Sequence, residues 1–369
     1  MEQKTIRGIG SCTVIADVLN SIESKRFLLV CDKAFEYLGL SGIFDKLVIP
    51  FTVFNGFSPN PIYEDVVSGV ELFNQNDCDA ILAIGGGSTI DTAKCIKLFC
   101  RMNKSDNYLD QPFVSNGIPL LAVPTTAGTG SESTRFAVIY RDGIKQSITH
   151  DSIVPEYAIL DSSLLKTLPL YQKKCTMLDA MCQAIESWWS VHSTTESIGY
   201  ASHALKLIVE HYNEYLKEDG SASALIMEAS NLAGRAINIT QTTAAHAMSY
   251  KLTSKYGLPH GHAVALCLPE IWEYMYENLS RCTDARGAPY LTSTFNSIAF
   301  AMNDSSVRGA VKHFRRMLDE LCLFTPNSLN VNDIDLLVSS VNLTRLNNNP
   351  VMLDKNALHD LYTKIITGD

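Results

Sequence analysis

AILAIGGGSTIDTAK, residues 80–94, decides how the first half of this 369-residue chain folds. Five apolar residues in a row, 80–84, are too few for a buried helix and of the right length for a buried strand. Three glycines follow, and the polar and apolar residues after them return to helical spacing. A strand that ends in a glycine turn and opens a helix is the repeating step of an α/β fold. The glycines let backbone amides approach a ligand closely. Ser88 or Thr89 can cap the helix, whose positive N-terminus then faces an anion such as a pyrophosphate. The order is not GxGxxG, and a glycine turn at this place serves structure as readily as binding.

The same texture extends on both sides. FLLVC (27–31), LVIPFTVF (47–54), PLLAV (119–123) and YAIL (157–160) are further apolar runs separated by amphipathic stretches. Continuous rather than alternating runs predict strands of a parallel sheet covered on both faces. Beyond about residue 165 the pattern changes. CTMLDAMCQAIESWWSV and IGYASHALKLIVEHYNEYL carry apolar residues at spacings of three and four with no Pro and a single Gly, Gly199 at the start of the second, the signature of helices. The expected fold is therefore an α/β nucleotide-binding domain over 1–164 and an all-α domain over 165–369. The linker falls near DSSLLKTLPLYQ, where Asp161 and two serines can cap a turn. After about residue 325, two terminal helices joined by a polar turn are expected.

Composition sets limits on function. Hydrophobic residues make up 46% and charged residues 19%, which fits a globular protein. A formal net charge of -9 argues against nucleic acid as a partner. The ten cysteines are scattered singly, several inside apolar runs, as reduced buried thiols are. The N-terminus lacks an apolar secretory core and no stretch approaches the roughly 20 apolar residues of a membrane span. A cytoplasmic protein with no membrane partner is expected.

Two further stretches add to the glycine turn. PTTAGTGSES, residues 124–133, follows another apolar run, so two anion-friendly loops stand at the ends of two strands, where open α/β sheets bind nucleotides. Asp32 directly follows the first apolar run, where a carboxylate can accept from a ribose diol; a solvated turn residue would look the same. Together the three favour a dinucleotide.

In the helical half, Asp179 and Gln183 stand four apart on one helical face. His246 and His260 are fourteen apart, with Gly257 and Pro259 breaking the chain between them, so the second histidine returns on a loop or a new helix start. A carboxylate and two imidazoles suit Fe(II) or Zn(II), with a weaker oxygen donor available from Gln183. Spacing is not geometry, and packed histidines inside helices are common.

These stretches, in this order along nearly the whole chain, resemble the iron-containing (group III) alcohol dehydrogenases, whose fold is shared with dehydroquinate synthase. The resemblance implies an N-terminal domain that binds NAD(P) and a helical domain that holds one divalent ion in the cleft between them. Carried onto this sequence, it implies that Asp32, Asn60, Gly86, Gly87, Ser88, Asp91, Thr125, Thr126, Thr129 and Lys145 face the cofactor, and that Asp179, His246 and His260 are ligands. Asp32 would repel a 2′-phosphate, which favours NAD(H) over NADP(H). Two positions depart from the family pattern. Gln183 stands where a ligand histidine is usual, and Tyr250 where a further histidine is usual. A neutral amide oxygen should hold the ion less tightly or differently.

DAMCQAIESWWSV and residues 232–266 resemble one branch of that family, the phosphonoacetaldehyde reductases, which make 2-hydroxyethylphosphonate. Arg235, on an otherwise apolar helix, can pair with a phosphonate; a surface ion pair would explain it equally. The implied reaction is hydride transfer from NADH to an aldehyde. Its proton comes from water, a ribose hydroxyl chain, Tyr250 or His262. The alternatives are a group III enzyme acting on another small alcohol or aldehyde, a redox-neutral lyase of the dehydroquinate synthase type, and a non-catalytic relative. The resemblance also implies a homodimer or larger homo-oligomer.

Overall fold

The computed structural model describes residues 3–368. The chain divides into two compact units, one built from the residues up to Leu168 together with Glu218–Met227, the other from Pro169–Lys217 and Glu228 onward.

The first unit holds eight strands: β1 Lys4–Arg7, β2 Phe27–Cys31, β3 Phe51–Phe54, β4 Ala80–Gly85, β5 Leu120–Pro124, β6 Phe136–Arg141, β7 Ile144–Thr149 and β8 Tyr157–Leu160. Six form one parallel sheet in the order β1-β8-β5-β4-β2-β3. Its helices are α1 Ile15–Ser21, α2 Ser41–Phe44, α3 Tyr63–Gln75 and α4 Gly87–Phe99. Why the strand sequences are apolar without alternation follows from the packing. Ile81 and Ala83 join Phe73, Ile96 and Phe99 in one core, while Leu82 and Ile84 join Ile15, Leu19 and Val123 in another. Both faces of the sheet are buried, so both side-chain directions must be apolar. β6 and β7 pair antiparallel across Asp142 and Gly143, whose φ angles of 52° and 72° are those of a type I′ turn.

Asp161 caps the helical turn Ser162–Thr167 that follows β8. Its carboxylate accepts from Ser163 N, from Gly10 N at 3.0 Å and from Cys12 N at 3.0 Å, fastening the start of the chain to the end of β8. Burial opposes its charge, but these donors outweigh it and hold the carboxyl below its ordinary value.

The remaining helices are α5 Leu170–Trp189, α6 Thr195–Leu216, α7 Gly220–Thr240, α8 Ala244–Tyr256, α9 His260–Glu277, α10 Gly287–Ala301, α11 Val307–Glu320, α12 Ile334–Ser340, α13 Leu343–Leu346 and α14 Lys355–Thr367. In the second unit α5 is buried over most of its length, packed against α6 and α9. Gly261 permits the tightest of these contacts: a Cβ there would stand 1.9 Å from the Cys175 carbonyl oxygen and 2.9 Å from Asp179 Cβ. Eight of the ten cysteines are buried free thiols, Cys282 and Cys322 being the others. Among the described residues no helix is long and apolar enough to cross a membrane.

Candidate metal centre and nucleotide loops

Helix α8 closes on Gly257, whose φ of 69° reverses the chain, and Pro259 restarts it as α9 with His260 at the first position. Of the two routes open to the second histidine, the chain takes the new helix start. The close α5–α9 approach at Gly261 then sets His260 against Asp179. His246, from α8, completes the group: one ligand atom each from Asp179, His246 and His260 lie within 4.8 Å of one another.

Asp179 Oδ1 is 3.3 Å from His246 Nε2 and 3.9 Å from His260 Nε2. Asp179 Oδ1 and His246 Nε2 are buried, and neither makes an aligned hydrogen bond with any described residue. Leaving buried polar atoms unsatisfied is costly, about 1–3 kcal/mol each, unless something else engages them. A divalent cation satisfies both at once, so the donor set fits a metal. Burial works against Asp179's charge, but His260, His246 and the Gln183 amide outweigh it and hold the carboxyl below its ordinary value. It is ionised, as a ligand must be.

Glu186 orients His246, and the sequence reading did not nominate it. Its Oε2 accepts from His246 Nδ1, while Oε1 accepts from Thr243 N at 3.1 Å, Thr243 Oγ1 at 2.7 Å and Ala245 N at 2.9 Å. The bond on Nδ1 turns Nε2 toward Asp179, the usual arrangement behind a metal-binding histidine. A signal was present: Glu186 stands seven after Asp179 and three after Gln183, on the same helical face. Burial opposes a charged His246, but Glu186 and Asp179 raise its pKa to about 9 without a metal.

Gln183 is buried beside Asp179 and hydrogen-bonds its carboxylate. Tyr250 stacks flat on His260, with ring centroids 5.8 Å apart and planes 6° from parallel, and its hydroxyl accepts from Arg345 Nη1 at 2.8 Å. Two other nominated residues lead elsewhere. His262 follows His260 by two positions on α9, so it faces away from it. Its Nδ1 meets the Tyr171 hydroxyl at 3.0 Å, and burial lowers its pKa. Arg235, half-buried on α7, lays its guanidinium 4.3 Å from the Tyr200 ring centroid and donates to the Tyr200 hydroxyl at 2.6 Å. The structure brings neither His262 nor Arg235 into the triad.

In the first unit, neighbouring strand ends gather the nominated loops. Cys31 pairs with Ile84 and Gly85 with Pro124, which puts Asp32, the glycine turn and Thr125 at one edge of the sheet. Thr125 N donates to Gly85 O at 3.0 Å. Helix α4 starts earlier than the sequence suggested. Gly86 is the N-cap, without a side-chain cap among the described residues, so Ser88 and Thr89 fall inside the first turn. Their hydroxyls work sideways: Ser88 Oγ accepts from Asn60 N at 3.3 Å and Thr89 Oγ1 donates to Asp32 at 3.4 Å. A Cβ on Gly87 would come within 2.8 Å of Thr129 Cγ2, and one on Gly86 within 3.4 Å of Thr126 Cγ2. An uncapped 13-residue helix whose first amides meet a threonine loop fits a pyrophosphate. Asp91 lies one turn deeper, accepting from Ser131 Oγ at 2.6 Å and Val138 N at 2.9 Å; burial pushes its carboxyl above the ordinary value against Lys94, these two bonds and, least, Lys145. Its bonds hold the 124–133 loop in place.

Comparison with known proteins agrees with both halves. Residues 2–162 match the family described as iron-containing alcohol dehydrogenase, and residues 174–366 match the C-terminal domain of the Fe-containing alcohol dehydrogenase family. The chain is 32% identical to a phosphonoacetaldehyde reductase from Streptomyces viridochromogenes over 76% of its own length and 74% of that protein's. It is also 32% identical to an NAD-dependent methanol dehydrogenase from Bacillus methanolicus, over 72% of this chain and 73% of that one. Among solved structures, a sulfoacetaldehyde reductase from Bifidobacterium kashiwanohense in complex with NAD+ superposes with a TM-score of 0.89 and 27% identity, over 100% of this chain and 98% of that one. The chain belongs to the iron-containing alcohol dehydrogenase family and is an oxidoreductase of the alcohol dehydrogenase type.

Proposed function

We propose that the protein is an NADH-dependent, metal-assisted reductase of a small anionic aldehyde, with phosphonoacetaldehyde reduced to 2-hydroxyethylphosphonate. The observation that carries the catalytic half is the triad of buried Asp179 and His246 with half-buried His260, and Glu186 behind it. The substrate half rests on likeness: a phosphonoacetaldehyde reductase and a sulfoacetaldehyde reductase both resemble this chain, and their substrates share a two-carbon aldehyde with a tetrahedral oxyanion.

In this reading Asp179, His246 and His260 hold the ion and Gln183 lends an amide oxygen, a set suited to Fe(II) or Zn(II). When bound, the ion supplies Lewis acidity at the carbonyl oxygen and the nicotinamide supplies the hydride. The amides of Gly86 and Gly87 and the positive end of α4 take the pyrophosphate, and Asp32 takes the ribose diol. Tyr250, stacked on His260 and hydrogen-bonded to Arg345, is placed to pass a proton through its hydroxyl. Burial raises its pKa despite the arginine, so the hydroxyl keeps its proton at neutral pH.

The test is NADH consumption by the metal-loaded protein with phosphonoacetaldehyde, sulfoacetaldehyde and uncharged aldehydes of the same length. We expect kcat/KM at least tenfold higher for phosphonoacetaldehyde than for propanal, and NADH preferred over NADPH. A preference for uncharged aldehydes would overturn the substrate assignment.

A further inference from the structure

The structure assigns to Arg345 the recognition of the substrate's anionic group. This rests on the anionic-aldehyde reading and names the residue that makes it possible. Arg345 sits on the short helix α13, half-buried. Its guanidinium carbon is 5.3 Å from the Tyr250 ring centroid, and that ring lies 5.8 Å from the His260 ring centroid. A positive charge is therefore held one aromatic ring away from a metal ligand.

Among the described residues no carboxylate lies within ion-pair distance of Arg345, and its one side-chain hydrogen bond goes to the neutral Tyr250 hydroxyl. That leaves most of the five donors of a planar fork whose shape matches a phosphonate or sulfonate. Among the other half-buried arginines of this unit, Arg315 pairs with Glu270 and Glu273 and Arg281 with Asp354, while Arg235 lies on the Tyr200 ring. A half-buried arginine next to a cation site is unfavourable unless an anion arrives. A two-carbon aldehyde with a phosphonate spans roughly 4–5 Å from carbonyl oxygen to phosphonate oxygens by ordinary bond lengths, and with a coordinate bond of about 2 Å on either side of the ion and a hydrogen bond of about 2.8 Å to the guanidinium it can reach from His260 past Tyr250 to Arg345.

The site is also built to stay in place. Asn348 Nδ2 donates to Thr242 O at 3.1 Å and Val191 N donates to Asn348 O at 3.2 Å, tying the 345–350 turn to the residues that lead into α8 and to the end of α5. Those two helices carry His246 and Asp179. Arg235 makes the same kind of contact with Tyr200, but the ring that stacks on His260 is Tyr250, the one Arg345 holds.

The experiment compares wild type, Arg345→Met, Arg345→Lys and Tyr250→Phe in the metal-loaded protein with NADH. Phosphonoacetaldehyde and propanal are the substrates, and ethylphosphonate, which has no carbonyl to reduce, is the binding probe. Loss of the guanidinium should cut kcat/KM for phosphonoacetaldehyde by about thirty- to a hundredfold, chiefly through KM, with Arg345→Lys in between. The loss on propanal should be at least tenfold smaller. Ethylphosphonate, followed by calorimetry on the metal-free protein with NAD+, should bind Arg345→Met at least tenfold more weakly than wild type, whereas Tyr250→Phe should keep its affinity within threefold. Equal losses on both aldehydes, or Tyr250→Phe matching Arg345→Met in ethylphosphonate affinity, would show that Arg345 only supports Tyr250 and would overturn the assignment. If wild type itself prefers propanal, the anionic-aldehyde reading fails first; that outcome is distinct from a wild type that prefers the phosphonate and an Arg345→Met that retains the preference.

Discussion

Glu186 grips His246 from behind: one carboxylate oxygen accepts from the ring Nδ1, and the other gathers the amides and hydroxyl that open α8. The bond fixes which nitrogen faces Asp179 and leaves the imidazole more basic, as is usual behind metal-binding histidines.

Replacing Glu186 with Gln keeps the size and removes the charge. Metal affinity should fall by about 10–100-fold, the range for such supporting partners. Titration of the metal-free protein with Zn(II) or Fe(II) measures it. An unchanged affinity with a folded protein would mean that Glu186 serves only the helix start.

Proton competition gives a second expectation. Without metal, His246 has a pKa raised from 6.5 to about 9, so at neutral pH the ion must displace a proton. Apparent affinity should rise about tenfold per pH unit up to about pH 9 and level off above it. The stability of the metal-free protein runs the other way. Because the folded-state value is the higher one, the contribution of His246 is full below pH 6.5 and is lost as pH rises through about 9. Calorimetric titrations and melting curves across pH 6 to 10 check both directions, and a flat affinity profile would exclude His246 as a ligand.

Much of this was readable along the chain, and the gaps have physical causes. Apolar runs at 27–31, 80–84 and 157–160 are strands because both faces of the sheet are covered. β1, KTIR, escaped because a four-residue edge strand with exposed ends carries no apolar run. The β6–β7 hairpin escaped although Asp142-Gly143 is a strong turn signal, because its solvent-facing strands break the apolar pattern. Asp179, His246 and His260 were found from local spacing. Arg345 was not, since nothing in VNLTRLNNNP announces a site; its meaning comes from Tyr250, 95 positions away.

Gly261 is where the fold makes room for the candidate metal centre. A methyl group there meets backbone at 1.9 Å, which no rotamer relieves. Gly261→Ala should cost about 1–3 kcal/mol or more by overpacking and should spread α5 from α9, weakening metal binding. Gly257→Ala makes the contrast: there is open space around it, but φ is 69°. It should cost about 1–2 kcal/mol from backbone strain alone. Chemical denaturation paired with metal titration separates them, since only the first should lose metal affinity out of proportion to stability.

Asp32 should set the choice of cofactor. Its carboxylate caps the turn after β2 by accepting from Ala34 N at 2.8 Å, and it takes the Thr89 hydroxyl on its other oxygen. Replacing it with Ser keeps a capping oxygen, so stability should change by less than about 1 kcal/mol. The variant loses the charge that repels a 2′-phosphate and the acceptor for the ribose diol. NADH should therefore become a poorer substrate and NADPH a better one, shifting the ratio of their kcat/KM values by at least tenfold. Were the ratio unchanged, Asp32 would be a turn residue and no more, and the preference would have to come from elsewhere along the carboxyl edge of the sheet.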